Sequence, residues 1–263
     1  SRVHGKKRMQ VSFALPAVRP GCIVEYRYHE EQDDVLADFE EFPLQLSVPA
    51  RRVVYSVKPL QIPGWDVRRL TFHVLAKTGT KNIEGYHVLE APDMPAFVEE
   101  PDMPPAGQLR AVMLLYYTQA QNTTPAKFWT RTGTDRARSF RDWCSPDDGL
   151  RQTATGIVDG AQDDDGKLRR LVEWCRREIR LVRSSDPDSL RASHVHDNGN
   201  ARGMLRQRAG TPFELDMLFG ALAGAAGFET RFLHVPRRGD LQFDQEMMDL
   251  RFLKSWEIAV HTQ

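Results

Sequence analysis

The spacing of apolar and polar positions divides this chain into two halves of different character. In the first, short apolar stretches are cut at brief intervals by Pro and Gly, which is the pattern of strands rather than helices. Met9–Leu15 and Cys22–Tyr28 read as two strands around the turn-forming segment Pro16-Ala17-Val18-Arg19-Pro20-Gly21. In the second of these, alternation puts Val24, Tyr26 and Tyr28 on one face. Leu44–Val48, Arg52–Lys58, Arg69–Ala76 and Gly85–Glu90 predict four more strands, and Gln108–Gln119 a further one that closes an antiparallel sandwich. The segment Ala91–Gln108 carries Pro-Asp-Met-Pro twice, at Pro92–Pro95 and Pro101–Pro104, and reads as an extended connector packed along that sandwich.

From about Thr123 the period becomes helical. Thr134–Cys144 predicts a short helix and Lys167–Val182 a long one, on which Leu168, Leu171, Val172, Cys175, Ile179 and Val182 fall at helical spacing. Asp163-Asp164-Asp165 precede the long helix and complement its positive end. Ser184–Asn200 is a polar loop, and Ala201–Arg208 a short helix closed by Gly210. A sharply defined helix start follows. Thr211 suits the N-cap, Pro212 the first helical position, and Glu214 completes a Thr-x-x-Glu capping box. The helix runs to Gly227, a residue suited to the C′ position. Its positions Leu215, Leu218, Phe219, Leu222 and Ala226 are apolar and Gly220, Ala221, Ala223, Gly224 and Ala225 are small, so it is expected inside the core. Phe228–Val235 and Trp256–Thr262 read as strands. Strands first and helices later predict an α+β protein: an N-terminal antiparallel β-sandwich (residues 1–122) followed by an α+β domain (residues 123–263).

Charge narrows the function classes. Lys plus Arg (36) equals Asp plus Glu (36), which argues against a nucleic-acid binder that relies on bulk positive charge. No apolar run approaches the roughly 20 residues of a membrane span. The chain opens Ser1-Arg2-Val3-His4 and reads as a fragment, with the first domain incomplete at its start and the second truncated at its end. Cys22, Cys144 and Cys175 are spaced neither as a disulfide framework nor as a zinc site. Cys22 and Cys175 read as buried small hydrophobes, and one disulfide among the three stays open. No cofactor is expected.

Several residues carry candidate chemistry. A buried helix N-terminus depresses a thiol pKa and holds an oxyanion, so the start at Thr211-Pro212 is the first place to look. The Thr211 hydroxyl is better explained as the cap acceptor than as a nucleophile. Glu214 and Asp216 stand two apart and do not share a helix face. His194-Val195-His196-Asp197 is a weak metal candidate in a polar loop, and Met94 with Met103 a weaker one for copper; in both cases no metal is the preferred reading. His234 and His261 lie on the two last strands, where ordinary surface histidines are expected, and alternation turns His261 away from the face of Trp256.

The run Arg206–Arg231 resembles the core motif of transglutaminase-like proteins, which have a papain-like core. In outline that motif is Gly-Asp-Cys, a polar pair, an apolar run, Leu-Leu-Arg-Ala-Ala-Gly-Ile and a strand. Lys167–Val182 resembles the helix before it. Phe13–Tyr28, with its Leu-Pro-x-Val-x-Pro-Gly-x-Ile-x-Glu-Tyr pattern, resembles the β-domain (DUF3857) that often precedes a bacterial transglutaminase-like domain, and Phe128-Trp129 fits the same architecture. The resemblance implies a Cys nucleophile at the helix start, a His base on a later strand and an Asp beyond it. Pro212 stands at the nucleophile position. Leu253–Val260 resembles the His-bearing strand, with Trp256 at the base position, and the Asp would fall after Gln263. Neither Pro nor Trp does the work of those residues. The expectation is therefore a catalytically inactive protein whose cleft (Thr211, Pro212, Phe213, Glu214, Trp256) binds an extended peptide or a cell-envelope component, in the periplasm or cell envelope. Two alternatives stand beside it: an active thiol peptidase or acyltransferase of the same superfamily, and a carbohydrate- or partner-binding sandwich with the second domain as scaffold.

Overall fold

The computed structural model describes residues 2–3, 6–7, 14–26, 39–75, 78–120, 122–182, 195–237, 239 and 243–262. Residues 1–37 form one unit and residues 38–263 another. In the first, β1 (Arg2–Val3) and β2 (Lys6–Lys7) pair antiparallel. The two strands expected there are corrected as far as they are described. Ala14–Leu15 and Cys22–Tyr26 are not strands, Cys22 is exposed rather than buried, and Ile23 and Tyr26 are 97% and 73% exposed. Alternation alone makes no strand; a ladder needs a partner for its N–H and C=O groups. Met9–Phe13 and Arg27–Tyr28 lie outside the described residues.

The second unit is α+β, with several antiparallel sheets. β3 (Phe39–Pro43), β8 (Val112–Thr118) and β5 (Asp66–Phe72) form one three-stranded sheet in the order β3-β8-β5; β4 (Ala50–Val57), β7 (Tyr86–Met94) and β6 (Gly79–Ile83) form another in the order β4-β7-β6. Leu44, Val53, Leu89, Ala91, Met94, Ala111 and Met113 share one buried cluster drawn from both sheets. β8, the strand expected within Gln108–Gln119, is central in its sheet. Its run Val-Met-Leu-Leu-Tyr-Tyr-Thr is buried at every position because both faces are covered. Met113 faces the first cluster, while Val112, Leu114 and Tyr116 pack with Met247 and Phe252 from the C-terminal region. Hydrogen bonds fix that contact: the Tyr116 hydroxyl donates to the Glu246 carbonyl at 2.8 Å and the Thr118 hydroxyl to the Met248 carbonyl at 2.9 Å.

Strand boundaries moved for local reasons. The strand expected at Leu44–Val48 lies earlier, because the β3–β8 ladder ends at the pair Pro43–Val112. β5 stops before His73, whose φ is 53°. β6 was missed because Gly-Thr-Lys-Asn-Ile is exposed throughout and carries no alternation. It turns into β7 through Glu84-Gly85, both at positive φ (50° and 83°), as a two-residue type I′ hairpin turn requires. β7 takes in Ala91–Met94, so the start of the supposed connector is sheet. Met94 is 2% exposed, a side chain of the core cluster, and the Met103 sulfur accepts a hydrogen bond from the Glu100 N–H at 3.0 Å.

Five helices are described in the C-terminal region: α1 (Pro125–Trp143), α2 (Asp148–Val158), α3 (Asp164–Glu178), α4 (Ala201–Gln207) and α5 (Pro212–Ala225). α1 begins nine residues earlier than the spacing suggested because Thr124 caps it and Pro125 takes its first position. α2 went unpredicted; Asp147 caps it, but only Leu150 and Ala154 are buried on it. The acid run before α3 does what a helix start requires, with the Asp163 carboxylate accepting from the Gly166 N–H at 2.7 Å. α4 is closed by Arg208 in the left-handed region (φ 53°), not by Gly210, which belongs instead to the short strand β10 (Ala209–Gly210) paired parallel to β9 (Arg180–Leu181). Leu150, Ala154, Leu171, Cys175, Met204, Leu218 and Leu222 build the helical core around α5. α5 ends in a Schellman motif: Gly227 has φ 100°, the Phe228 N–H reaches the Ala223 carbonyl and the Gly227 N–H the Gly224 carbonyl. β11 (Glu229–Val235) and β12 (Ser255–His261) pair antiparallel beside it.

Candidate functional site

The start of α5 is held by a polar network larger than the cap alone. Both halves of the capping box form: the Thr211 hydroxyl accepts from the Glu214 N–H at 3.3 Å, and a Glu214 carboxylate oxygen accepts from the Thr211 N–H at 2.7 Å and the Thr211 hydroxyl at 2.9 Å. The other oxygen of Glu214 accepts from the Asn198 N–H at 3.2 Å and the Asn198 amide at 2.8 Å. Asn198 is buried, and its side-chain oxygen accepts from Gln207 at 2.8 Å. Gln207 in turn holds the backbone of His196, donating to its carbonyl at 2.8 Å and accepting from its N–H at 2.9 Å. The Glu214 carboxylate thus joins Asn198 to the start of α5, and the Asn198 amide ties in β10 by also donating to the Ala209 carbonyl at 3.1 Å. Gly210 sits in this crowding: a Cβ there would lie 2.8 Å from the Met204 methyl and 3.0 Å from both Asn198 Nδ2 and Glu214 Oε2, so those side-chain ends would have to shift.

The same network engages most of the N–H groups that an oxyanion site at this helix start would draw on. Pro212 has no N–H, the N–H groups of Thr211 and Glu214 are engaged within the cap, and that of Leu215 bonds the Thr211 carbonyl at 3.0 Å. Next to it, Phe213 meets Trp256 of β12 edge to face, ring centroids 5.2 Å apart, and the Trp256 indole N–H donates to the Asp216 carboxylate at 2.8 Å. Of the expected cleft residues, the structure therefore joins Thr211 to Glu214 and Phe213 to Trp256. Asp216 was noted in the sequence only for failing to pair with Glu214; its partner is the indole, forty residues away.

The remaining thiols and imidazoles stand apart. The Cys144 thiol lies 3.5 Å from the Met217 carbonyl, and burial pushes its pKa up to about 12. Cys175 is 3% exposed; burial, with the Asp216 carboxylate adding, pushes it up to about 12 as well. Neither is a thiolate near neutral pH. All three cysteines are free. His234 on β11 lies opposite Trp256 in the strand register. Its pKa is lowered by burial and then by the charge of Arg136, against a hydrogen bond to the Leu253 backbone. His261 is exposed and pairs with Glu229. Of the weak metal candidates, the Asp197 carboxylate accepts from the Gly199 N–H at 3.0 Å, His196 is exposed, and His194 lies outside the described residues. Among the described residues no group of three or more His, Cys, Asp or Glu side chains is placed to hold a metal ion.

A pocket of about 190 Å³ opens beside the α5 start, lined by Arg136, Ser139, Phe140 and Trp143 of α1, Phe213 and Met217 of α5, and Phe232 and His234 of β11. Its rings touch: Phe213–Phe232 centroids are 5.8 Å apart, Phe140–Phe232 6.0 Å and Phe232–His234 4.8 Å. Sequence reasoning found Phe140 and Trp143 only as helix positions three apart and did not join them to Phe213 or Phe232. The pairing of residues so distant along the chain leaves no local signal.

No family profile matches the sequence, and no curated protein matches it. Among solved structures, the chain is similar to a candidate protease from Parabacteroides distasonis ATCC 8503, with 16% identity and a TM-score of 0.44 over 84% of this chain and 40% of that one. It is also similar to a candidate cysteine protease from Cytophaga hutchinsonii, with 14% identity and a TM-score of 0.29 over 74% of this chain and 64% of that one. The chain thus spans less than two thirds of the length of either protein. At such identities and TM-scores neither likeness decides the fold or the chemistry of this protein.

Proposed function

We propose that the C-terminal region is a degenerate transglutaminase-like domain with a papain-like core, preceded by a β-sandwich, and that its cleft binds an extended peptide without cleaving it. The order of elements supports the fold reading: a long helix (α3), a capped and buried helix (α5), and an antiparallel strand pair (β11, β12) beside it. One observation carries the functional reading. At the helix start, where the resemblance calls for a thiol facing an imidazole, Pro212 stands inside a closed capping box and Trp256 is fixed against Phe213 and Asp216. Cys144 and Cys175 offer no replacement, since burial keeps both protonated.

Calorimetric titration with a panel of extended peptides, followed by mass spectrometry of the recovered peptides, tests the reading. It expects at least one peptide class to bind and every peptide to be recovered intact. Cleavage or acyl transfer by the purified protein overturns inactivity, and failure of all peptides to bind overturns the assigned ligand.

A further inference from the structure

The pocket beside α5 has two chemically different sides. Phe140, Trp143, Phe213, Met217 and Phe232 make an apolar floor, and Arg136 and His234 stand together at one edge. Its lining holds no carboxylate, and Arg136 makes no hydrogen bond or ion pair among the described residues, although its helix neighbour Arg138 pairs with Asp135. An unanswered guanidinium beside an aromatic cavity is complementary to a ligand that is apolar at one end and anionic at the other. Size limits the apolar end. An apolar cavity of roughly 150 Å³ accepts benzene, so 190 Å³ holds one aromatic ring and little more.

We propose that this pocket captures the C-terminal residue of a peptide, taking a Phe- or Tyr-type ring between Phe213, Phe232 and Trp143 and setting the terminal carboxylate against Arg136. The assignment rests on the peptide-binding reading given above and names its specificity. The pocket borders the first turn of α5, so a peptide anchored there would begin its course at the cleft residues Pro212 and Phe213. It also gives Phe213 two roles, as the wall between this pocket and Trp256.

The test is a titration of the whole protein followed by NMR through the indole signal of Trp143, using N-acetylphenylalanine, its C-terminal amide, N-acetylalanine, 3-phenylpropionate and a tripeptide ending in free phenylalanine. N-acetylphenylalanine is expected to shift Trp143 saturably. The amide should bind about fivefold more weakly, the most that a rim-exposed ion pair supplies, and N-acetylalanine should not bind. In Arg136→Gln, an exposed substitution, acid and amide should become equal; in Phe213→Ala both should be lost. The tripeptide should bind at least as tightly as 3-phenylpropionate. Equal binding of acid and amide to the unaltered protein, or binding of 3-phenylpropionate without the tripeptide, overturns the proposal. If peptides bind but leave Trp143 unmoved, the pocket assignment fails while the inactive-cleft reading stands. If the tripeptide binds at Trp143 and is shortened, the pocket assignment stands and inactivity fails.

Discussion

Replacing Glu214 with Ala removes the acceptor of four hydrogen bonds at once, from the Thr211 N–H and hydroxyl and from the Asn198 N–H and amide. Two costs follow. Loss of the reciprocal half of the cap costs about 1 kcal/mol by comparison with other caps. Asn198 is buried, and stranding its N–H and one of its two amide hydrogens, the amide keeping its bond to the Ala209 carbonyl, costs about 2 kcal/mol more. The sum, about 3 kcal/mol, corresponds to a fall in melting temperature of about 6–12 °C for a domain of this size. Thermal unfolding followed by circular dichroism measures it directly. Thr211→Ala, which removes the cap acceptor and one of the four donors to Glu214, should cost about 1 kcal/mol. The double variant should cost less than the sum of the two, because both act on one network. A loss below about 1 kcal/mol for Glu214→Ala, or strict additivity with Thr211→Ala, would refute the view that this carboxylate ties the residues 196–198 segment to the helix.

Other predictions follow from single contacts. Gly203→Ala would put a Cβ 2.1 Å from the Asn198 carbonyl oxygen, a backbone clash that should lower the yield of folded protein and the melting temperature more than Gly224→Ala, whose nearest neighbour is at 3.5 Å. Leu89→Ala, in the cluster shared by the two sheets, should cost about 2–5 kcal/mol in chemical denaturation. Stability should fall with alkaline pH. The thiols of Cys144 and Cys175 are raised to about 12 from an ordinary 9.0, so the stability tied to their protonated forms is complete below pH 9.0 and is lost as pH rises toward 12. The alkaline fall of the melting temperature should be shallower in Cys175→Ala than in the unaltered protein. An equal slope would contradict the burial argument.

What the sequence revealed, and what it hid, follows from the range of the interactions. The α5 start was legible to the residue, because a cap is a short-range device written in Thr211, Pro212 and Glu214. The C′ glycine at 227 was legible for the same reason. α2 was not, since Asp147 is its only strong signal and two buried residues make a faint stripe. β6 was hidden because exposed strands need no alternation, and the central place of β8 in its sheet left no local signal because its second covering layer comes from Met247 and Phe252, far along the chain. In the site, the cap residues Thr211, Pro212 and Glu214 and the strand position of Trp256 could be read from the chain. Their partners could not: Asn198, itself held by Gln207, reaches Glu214 through space, and Trp256 chooses Asp216.

The central claim is that a helix cap fills the place where a nucleophile would stand and that no other thiol takes over its work. Cys22 is exposed, so the measurement uses Cys22→Ser protein, treated with iodoacetamide under native conditions and weighed intact by mass spectrometry. The account predicts no adduct at Cys144 or Cys175 over a time that labels both fully in denaturant. A single rapid adduct at either one, abolished by His234→Ala, would contradict it.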